Sequence, residues 1–322
     1  MLPPRDRLTI CFAHVAYRFA ERFALRGTGI VHVEARSRAE LDAAIAGADV
    51  LVCSGLWRND LPAIAPRLRL VQSCSAGTDQ YDRDVLRQAG IRLASGQGCN
   101  ANAVSEHAIA QILALLRRLP EARDNQAKRH WRGMMGDFAR REDEAGGKTA
   151  IVVGTGRIGG RIARLCKALG MRVIGVRRDP TQGVDGADEV HGFRDLPRLA
   201  PRADFLVLAC PLTDETRNLV DAAVLAAMKP TARVVNVARG RVVDEPALVA
   251  ALREGRIGGA ALDVTADEPL PQDSPLWDMP QVLITPHTAG ETHSYEDNVL
   301  DMMMENIERL WRGETGLFNQ IV

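Results

Sequence analysis

The chain has 322 residues, 46% hydrophobic and 25% charged, with 41 Lys and Arg balanced by 41 Asp and Glu. That length exceeds one ordinary core and points to two domains, in a composition typical of globular proteins. A formal net charge of zero argues against the basic surface of a nucleic-acid or membrane partner, leaving a small-molecule enzyme as the default class.

The opening stretch, MLPPRDRLTICFAHVAYRFA, has a short apolar run broken by His14 and Arg18, with no small-residue cleavage site after it. It does not read as a secretory signal. LTICF (8–12) is read as a first buried strand, followed by IVHV (30–33), DVLVCS (49–54), LRLVQS (68–73) and IRLA (91–94). AYRFAERFAL and RAELDAAIAG carry apolar residues at helical spacing. This β–α alternation predicts a parallel sheet covered on both faces. The turn signal SAGTDQYD (75–82) follows the fourth strand.

AVSEHAIAQILALLRRL (103–119) is a long apolar helix, and the polar stretch after it, from PEARDNQ to AGGK, is expected to run along the surface as an arm. From Lys148 the alternation restarts with TAIVV, MRVIGV, ADFLVLAC, ARVVNVA, GGAALDV and QVLIT. A last helical pattern, 292–311, has a Met- and Leu-rich face expected to pack against another domain. No stretch approaches the ~20 apolar residues of a membrane span, so a cytoplasmic protein is expected. The six cysteines stand singly, without metal-ligand spacing, and read as small buried hydrophobes. No metal site is expected. H-E-x-x-H and G-x-S-x-G are both absent.

TAIVV-GTGRIG-GRIARLCKAL places G-x-G-x-x-G between a strand and an amphipathic helix. Gly154 suits the tight turn, Gly156 lets backbone approach a pyrophosphate, and Gly159 lets the helix pack on the strand. Thr155 lies within this loop, and the first-turn N–H groups, those of Arg157 and Ile158 included, would face the anion. Such a loop expects an acid about 20 residues on, against the adenine ribose. Arg177 stands there instead, in VIGVRRDP, and a guanidinium suits a 2′-phosphate. Arg178 would stack on adenine or add a second contact. The alternative is that Asp179 takes the ribose and both arginines are solvated.

Three more stretches end strands: VVNVARGRVVDEPAL (234–248), GGAALDVTADEPLP (258–271) and LITPHTAG (283–290). They bring Arg239, Glu268 and His287 to the strand ends where open α/β sheets place their chemistry. Together these make an anion clamp, a carboxylate and an imidazole.

SAGTDQYD, NANAVSEHAIAQILALLRR, GKTAIVVGTGRIG, PLTDETRNLV, NVARGRVVDEPAL, ALDVTADEP and TPHTAG follow one another in the order seen in the D-isomer-specific 2-hydroxyacid dehydrogenases. The chain resembles that family from about residue 48 to its end. The resemblance implies that Arg239 binds substrate, Glu268 supports His287, and His287 transfers the proton. It implies that Asp263 bonds the nicotinamide amide, that Pro211 belongs to the cofactor set, and that Ser75, Ala76 and Gly77 present N–H groups to the substrate carboxylate. The implied fold is α/β: two Rossmann-like lobes with parallel sheets and the active site between them. A dinucleotide-binding domain (99–289) is inserted in a flavodoxin-like substrate domain (1–98 and 290–322). Reduction of a 2-keto acid needs a hydride at carbon and a proton at oxygen, which a cofactor and a histidine supply.

Departures from the pattern refine the expectation. Arg177 replaces the acid usual in NAD-dependent members, favouring NADP with NAD still possible. Thr265 replaces a common aromatic, with only a packing consequence foreseen, and Glu268 argues against formate-oxidising members. Trp57, after DVLVCS, either caps a small substrate pocket or packs in its own lobe, and Arg58 either adds an anion contact or is solvated. The expected substrate is of the glyoxylate or hydroxypyruvate class. The expected assembly is a homodimer, with Trp131, Met134, Met135 and Phe138 of the arm as a candidate partner surface. Rivals are a phosphoglycerate or phosphite dehydrogenase on the same scaffold, or a nucleotide-sensing corepressor-like binding protein.

Overall fold

The computed structural model describes residues 2–322. It divides into two compact units, one comprising the chain up to Asn100 with Glu291–Val322, the other Ala101–Gly290.

In the first unit the chain runs β1 (Thr9–Ala13), α1 (Phe19–Ala24), β2 (Val31–Ala35), α2 (Arg38–Ala44), β3 (Val50–Cys53), β4 (Leu70–Ser73), α3 (Arg83–Gln88) and β5 (Arg92–Ala94). All pairings are parallel in the order β2-β1-β3-β4-β5, the flavodoxin-like arrangement. Residue alternation in β1 sends Ile10 and Phe12 to one face and Cys11 and Ala13 to the other. Both faces are covered, which is why these strands read as unbroken apolar runs. The C-terminal helix, Tyr295–Trp311, closes one face with Val299, Leu300, Met303 and Ile307. Its methionine face thus serves its own unit rather than another domain. Past that helix the tail pairs along β5: Ile321 N–H donates to Leu93 O (2.8 Å) and Ser95 N–H to Asn319 O (2.9 Å).

The second unit opens with α4 (Ala101–Leu116) and α5 (Leu119–Ala127). It continues through β6 (Thr149–Val153), α6 (Arg157–Ala168), β7 (Arg172–Val176), β8 (Glu189–His191), α7 (Leu196–Leu199), β9 (Phe205–Leu208) and α8 (Ala222–Ala227). It ends with β10 (Arg233–Asn236), α9 (Glu245–Arg253), β11 (Gly259–Leu262) and β12 (Val282–Ile284). The seven strands lie in the order β12-β11-β10-β9-β6-β7-β8, all parallel. Strand order reverses at β6 and β9, so the carboxyl ends of those strands flank the crevice where such sheets bind ligands. The arm departs from its expected irregularity at its start, where α5 forms after Arg118 in a left-handed conformation (φ 50°). Beyond α5, Trp131, Met134 and Phe138 are almost fully exposed.

Candidate active site

The glycine loop joins β6 to α6 at the strand-order reversal. Gly154 has φ +88°, and a Cβ there would lie 2.4 Å from Cys210 Cα, just past β9. A Cβ on Gly159 would lie 2.0 Å from Gly154 O. Packing therefore demands both glycines. Gly156 differs, because a Cβ there would meet no protein atom within 4 Å and its φ is an ordinary −78°. Its side is open toward whatever occupies the loop. Gly156 caps α6 without a side-chain bond, so the first turn of the helix points its backbone N–H groups toward the loop. Thr155 Oγ1 is buried beside them with no hydrogen-bond partner among the described residues. An open glycine, a helix N-terminus and an orphaned hydroxyl fit a phosphate-bearing dinucleotide. Pro211 is exposed beyond β9, its carbonyl accepting from Thr216 Oγ1 (2.6 Å).

Arg239, Glu268 and His287 come from the loops after β10, β11 and β12. Asn236, 1% exposed, staples the first loop: its Oδ1 accepts from Ala238 N–H (3.0 Å) and its Nδ2 donates to Arg239 O (3.1 Å). Arg239 itself is exposed. A Cβ on the following Gly240 would lie 1.9 Å from Thr265 C and O. Only glycine lets the arginine loop press against the next one. Glu245 Oε2 ties the same junction by accepting from Ala266 N–H (2.8 Å).

Both oxygens of Glu268 are engaged. Oε1 accepts from Thr265 N–H (3.2 Å), and Oε2 meets His287 Nδ1 at 2.7 Å. A carboxylate only accepts, so Nδ1 carries the proton and Nε2 faces away from Glu268. Thr265 Oγ1 donates to Asp267 O (2.8 Å). Thr265 thus shapes the turn that aims Glu268, a role beyond the packing expected of it. His287 adopts φ 55°, a left-handed conformation costing a side chain roughly 1–2 kcal/mol. Its N–H, donated to Asp263 O (2.8 Å), holds it there.

Asp263 is 3% exposed. Its Oδ1 accepts from Thr285 Oγ1 (2.6 Å), Thr288 N–H (3.0 Å) and Ala289 N–H (3.2 Å), and Oδ2 from Ala289 N–H (3.1 Å). The carboxylate therefore works inside the protein as the anchor of the loop carrying His287. Sequence reading missed this, together with Asn236. The available signal was a polar residue closing each apolar strand.

At the other end of the crevice, Arg177 follows β7. Its guanidinium donates to Gln182 Oε1 (2.6 Å) and Gly183 O (2.9 Å), which fixes its plane. Arg178 is exposed and pairs with Glu215 (3.2 Å). Asp179 is bound within its own turn, Oδ1 accepting from Thr181 N–H (3.1 Å) and Thr181 Oγ1, Oδ2 from Gln182 Nε2 (2.9 Å). These bonds, the Thr181 hydroxyl first, hold its carboxyl below the usual range. Asp179 is thus the less available partner for a ribose.

In the first unit, Ser75 Oγ lies 2.8 Å from Ser54 Oγ and donates to Gly77 O (2.9 Å). Ala76 O accepts from Ser95 Oγ (2.9 Å), and no bond engages the N–H of Ala76 or Gly77 among the described residues. Trp57 is 6% exposed, with its ring 5.1 Å from that of Tyr81 and its Nε1 donating to Asn59 Oδ1 (2.7 Å). It belongs to the core formed with Leu61 and Leu86. Of the two roles expected of Trp57, the structure shows its indole packed in its own unit's core. Arg58 pairs with Asp42 (2.8 Å) and Asp60 (3.0 Å), so its charge is paired within its own unit. Burial pushes the thiols of Cys74 and Cys99 up to about 12 and about 11, keeping both protonated near neutral pH.

Among the described residues no cluster of three or more metal-binding side chains occurs, and no helix is long and apolar enough to cross a membrane. The profile of the family described as D-isomer specific 2-hydroxyacid dehydrogenase, NAD binding domain, matches residues 109–289. A glyoxylate reductase from Korarchaeum cryptofilum is 36% identical over 267 residues, 80% of this chain and 78% of that protein. A D-3-phosphoglycerate dehydrogenase from Synechocystis is 37% identical over 250 residues, 77% of this chain but 44% of its own length. A crystal structure of an NADPH-dependent glyoxylate/hydroxypyruvate reductase from Sinorhizobium meliloti superposes with a TM-score of 0.81 at 27% identity, covering 98% of both chains. With two parallel-sheet α/β units, a dinucleotide loop and these likenesses, the chain belongs to the D-isomer specific 2-hydroxyacid dehydrogenase family of NAD(P)-binding oxidoreductases.

Proposed function

We propose that the protein reduces a small 2-keto acid of the glyoxylate or hydroxypyruvate class to the D-2-hydroxy acid, preferring NADPH. The observation that carries this reading is the Glu268–His287 pair, held in the loops after β11 and β12 of the sheet that also carries the dinucleotide loop. When bound, the dinucleotide supplies the hydride to the keto carbon. Arg239 binds the substrate anion and polarises the carbonyl. As the carbonyl electron pair moves onto oxygen, His287 Nε2 gives it a proton. Glu268 holds Nδ1–H and stabilises the charged ring through the reverse reaction. In the first unit, Ala76 and Gly77 offer backbone N–H groups of the kind a substrate carboxylate needs. In this reading Ala101–Gly290 is the dinucleotide domain and the other unit the substrate domain.

The cofactor preference rests on Arg177, set at the end of β7 with its guanidinium plane fixed, and on the engagement of Asp179 elsewhere. Arg178 adds a contact at the adenine end. The S. meliloti reductase, named as NADPH-dependent, supports the choice. Likeness to phosphoglycerate dehydrogenases sustains a second reading. Against it stands Arg58, whose pairing with Asp42 and Asp60 removes a cation that a substrate phosphate would use.

A single panel tests both readings: kcat/KM with NADPH and NADH for glyoxylate, hydroxypyruvate, 3-phosphohydroxypyruvate and phenylpyruvate. The proposal expects the first two, with NADPH, to lead. A preference for the phosphorylated acid would install the second reading, and equal efficiency with both cofactors would remove Arg177 as selector. The protein is proposed to act as a homodimer built on the arm. A monomer mass in light scattering at micromolar concentration would refute that.

A further inference from the structure

His107 lies on α4, outside every motif assigned to catalysis. Its Nε2 is 3.0 Å from Thr285 Oγ1 and 3.6 Å from Asp263 Oδ1. Gln111, one turn on and 2% exposed, places its Nε2 3.3 Å from the same Thr285 oxygen. Thr285 has a single hydroxyl proton. At 2.6 Å from an acceptor-only carboxylate oxygen, it gives that proton to Asp263. The lone pairs of the hydroxyl then face Gln111 Nε2, which donates to it, and His107 Nε2, which also lies 3.1 Å from Gln111 Nε2. A chain of polar contacts thus runs from the helix through Thr285 to Asp263. From Asp263 it reaches the N–H groups of Thr288 and Ala289 and, through the Asp263 carbonyl, the N–H of left-handed His287.

We propose that His107 is a positioning residue for the reaction: through Thr285 it orients Asp263, and through Asp263 it holds the loop that aims His287. This rests on the assignment of His287 as the proton donor. Three features argue for positioning rather than simple packing. The contacts are polar and side chain to side chain across 174 to 178 residues of sequence, and they meet at one oxygen. Asp263 is buried, where an under-satisfied carboxylate is costly and its bonding partners decide its rotamer. The backbone that Asp263 secures is strained at His287, so a loosened anchor lets that residue relax away from φ 55°.

The test uses His107→Leu, Thr285→Val and Thr285→Ser in the full chain. In the cofactor-free protein, hydrogen exchange at the Thr288 and Ala289 amides should accelerate at least tenfold in His107→Leu and Thr285→Val while the melting temperature holds. Thr285→Ser, which keeps the hydroxyl, should exchange as the unmodified protein does. In turnover, the first two variants should lose kcat by roughly ten- to a hundredfold with little change in the keto-acid KM, the size expected of a misplaced reacting group. The double variant should lose no more than the worse single one, because both break one chain of contacts. Unchanged exchange at Thr288 and Ala289 in His107→Leu would overturn the inference, and so would additive losses in the double variant. Inactivity of the unmodified protein on every keto acid would instead defeat the function proposed above, leaving the exchange result to stand by itself.

Discussion

The two ends of the crevice in the second unit are built differently. At the Arg239, Glu268 and His287 end, each loop is pinned by buried groups: Asn236 under Arg239, Thr265 behind Glu268, Asp263 under His287. At the Arg177 end, every side-chain bond is made to the surface turn itself, in Gln182, Gly183 and Thr181, or to exposed Glu215. In the proposed function, proton-transfer geometry is thus set by the core, whereas cofactor discrimination is set by a short turn that can change without disturbing the fold. Substitutions at the first end should damage rate, and those at the second should redirect choice.

The largest effect should come from His287→Ala, which removes the proton donor. Its kcat should fall about 10²–10⁴-fold with NADPH affinity nearly intact, as read by fluorescence titration. Normal turnover in that variant would place the acid elsewhere and dissolve the contrast. Next comes Gly240→Ala, which leaves every reactive group present. Its Cβ would fall 1.9 Å from Thr265 C, so the loops must part, and a displacement near 1 Å lowers rate by about 10²-fold. An unimpaired Gly240→Ala would mean that the arginine loop tolerates movement.

At the other end, Arg177→Asp should shift the NADPH-to-NADH efficiency ratio by roughly ten- to a hundredfold toward NADH. This follows from losing a charge-assisted bond worth about 1.5–3 kcal/mol. The kcat with saturating cofactor should stay within a few-fold. A fall in kcat with both cofactors would show that the turn also governs the chemistry. The smallest catalytic change should follow Trp57→Ala. A buried indole lost from the first unit's core costs about 3–5 kcal/mol, lowering the melting temperature. The ranking of keto acids should stay as it was. Altered preference for bulky acids at unchanged stability would return Trp57 to the pocket.

Strands and glycine loop were legible because their patterns are demanded locally, by burial on both faces and by backbone packed so closely that a Cβ on Gly159 would lie 2.0 Å from Gly154 O. The candidate reactive residues were legible as charges at strand ends. β8 was missed because Glu189, bonded to Arg202 and Arg172, makes that edge strand look like a loop. α5 was missed because it buries none of its residues and so lacks an apolar stripe. Trp57 was left with two readings because a tryptophan after a strand looks the same in sequence whether it faces Tyr81 or a ligand. Asp263, Asn236 and Thr265 act by bonding residues brought near by folding, and their spacing carries no trace of that.

The first unit is assembled from both ends of the chain, with a contiguous unit between them. On the ribosome this inverts the order of completion. The segment up to Asn100 emerges first but cannot cover one face of its sheet until Val299, Leu300, Met303 and Ile307 arrive. The edge of β5 stays bare until Asn319 and Ile321 follow. The unit that starts later is free to finish earlier. At ~5–20 residues per second, nascent β1–β5 waits roughly 10–40 s with an apolar face and an open edge exposed. During that interval the chain is most open to capture by a holding chaperone or by another nascent copy of itself.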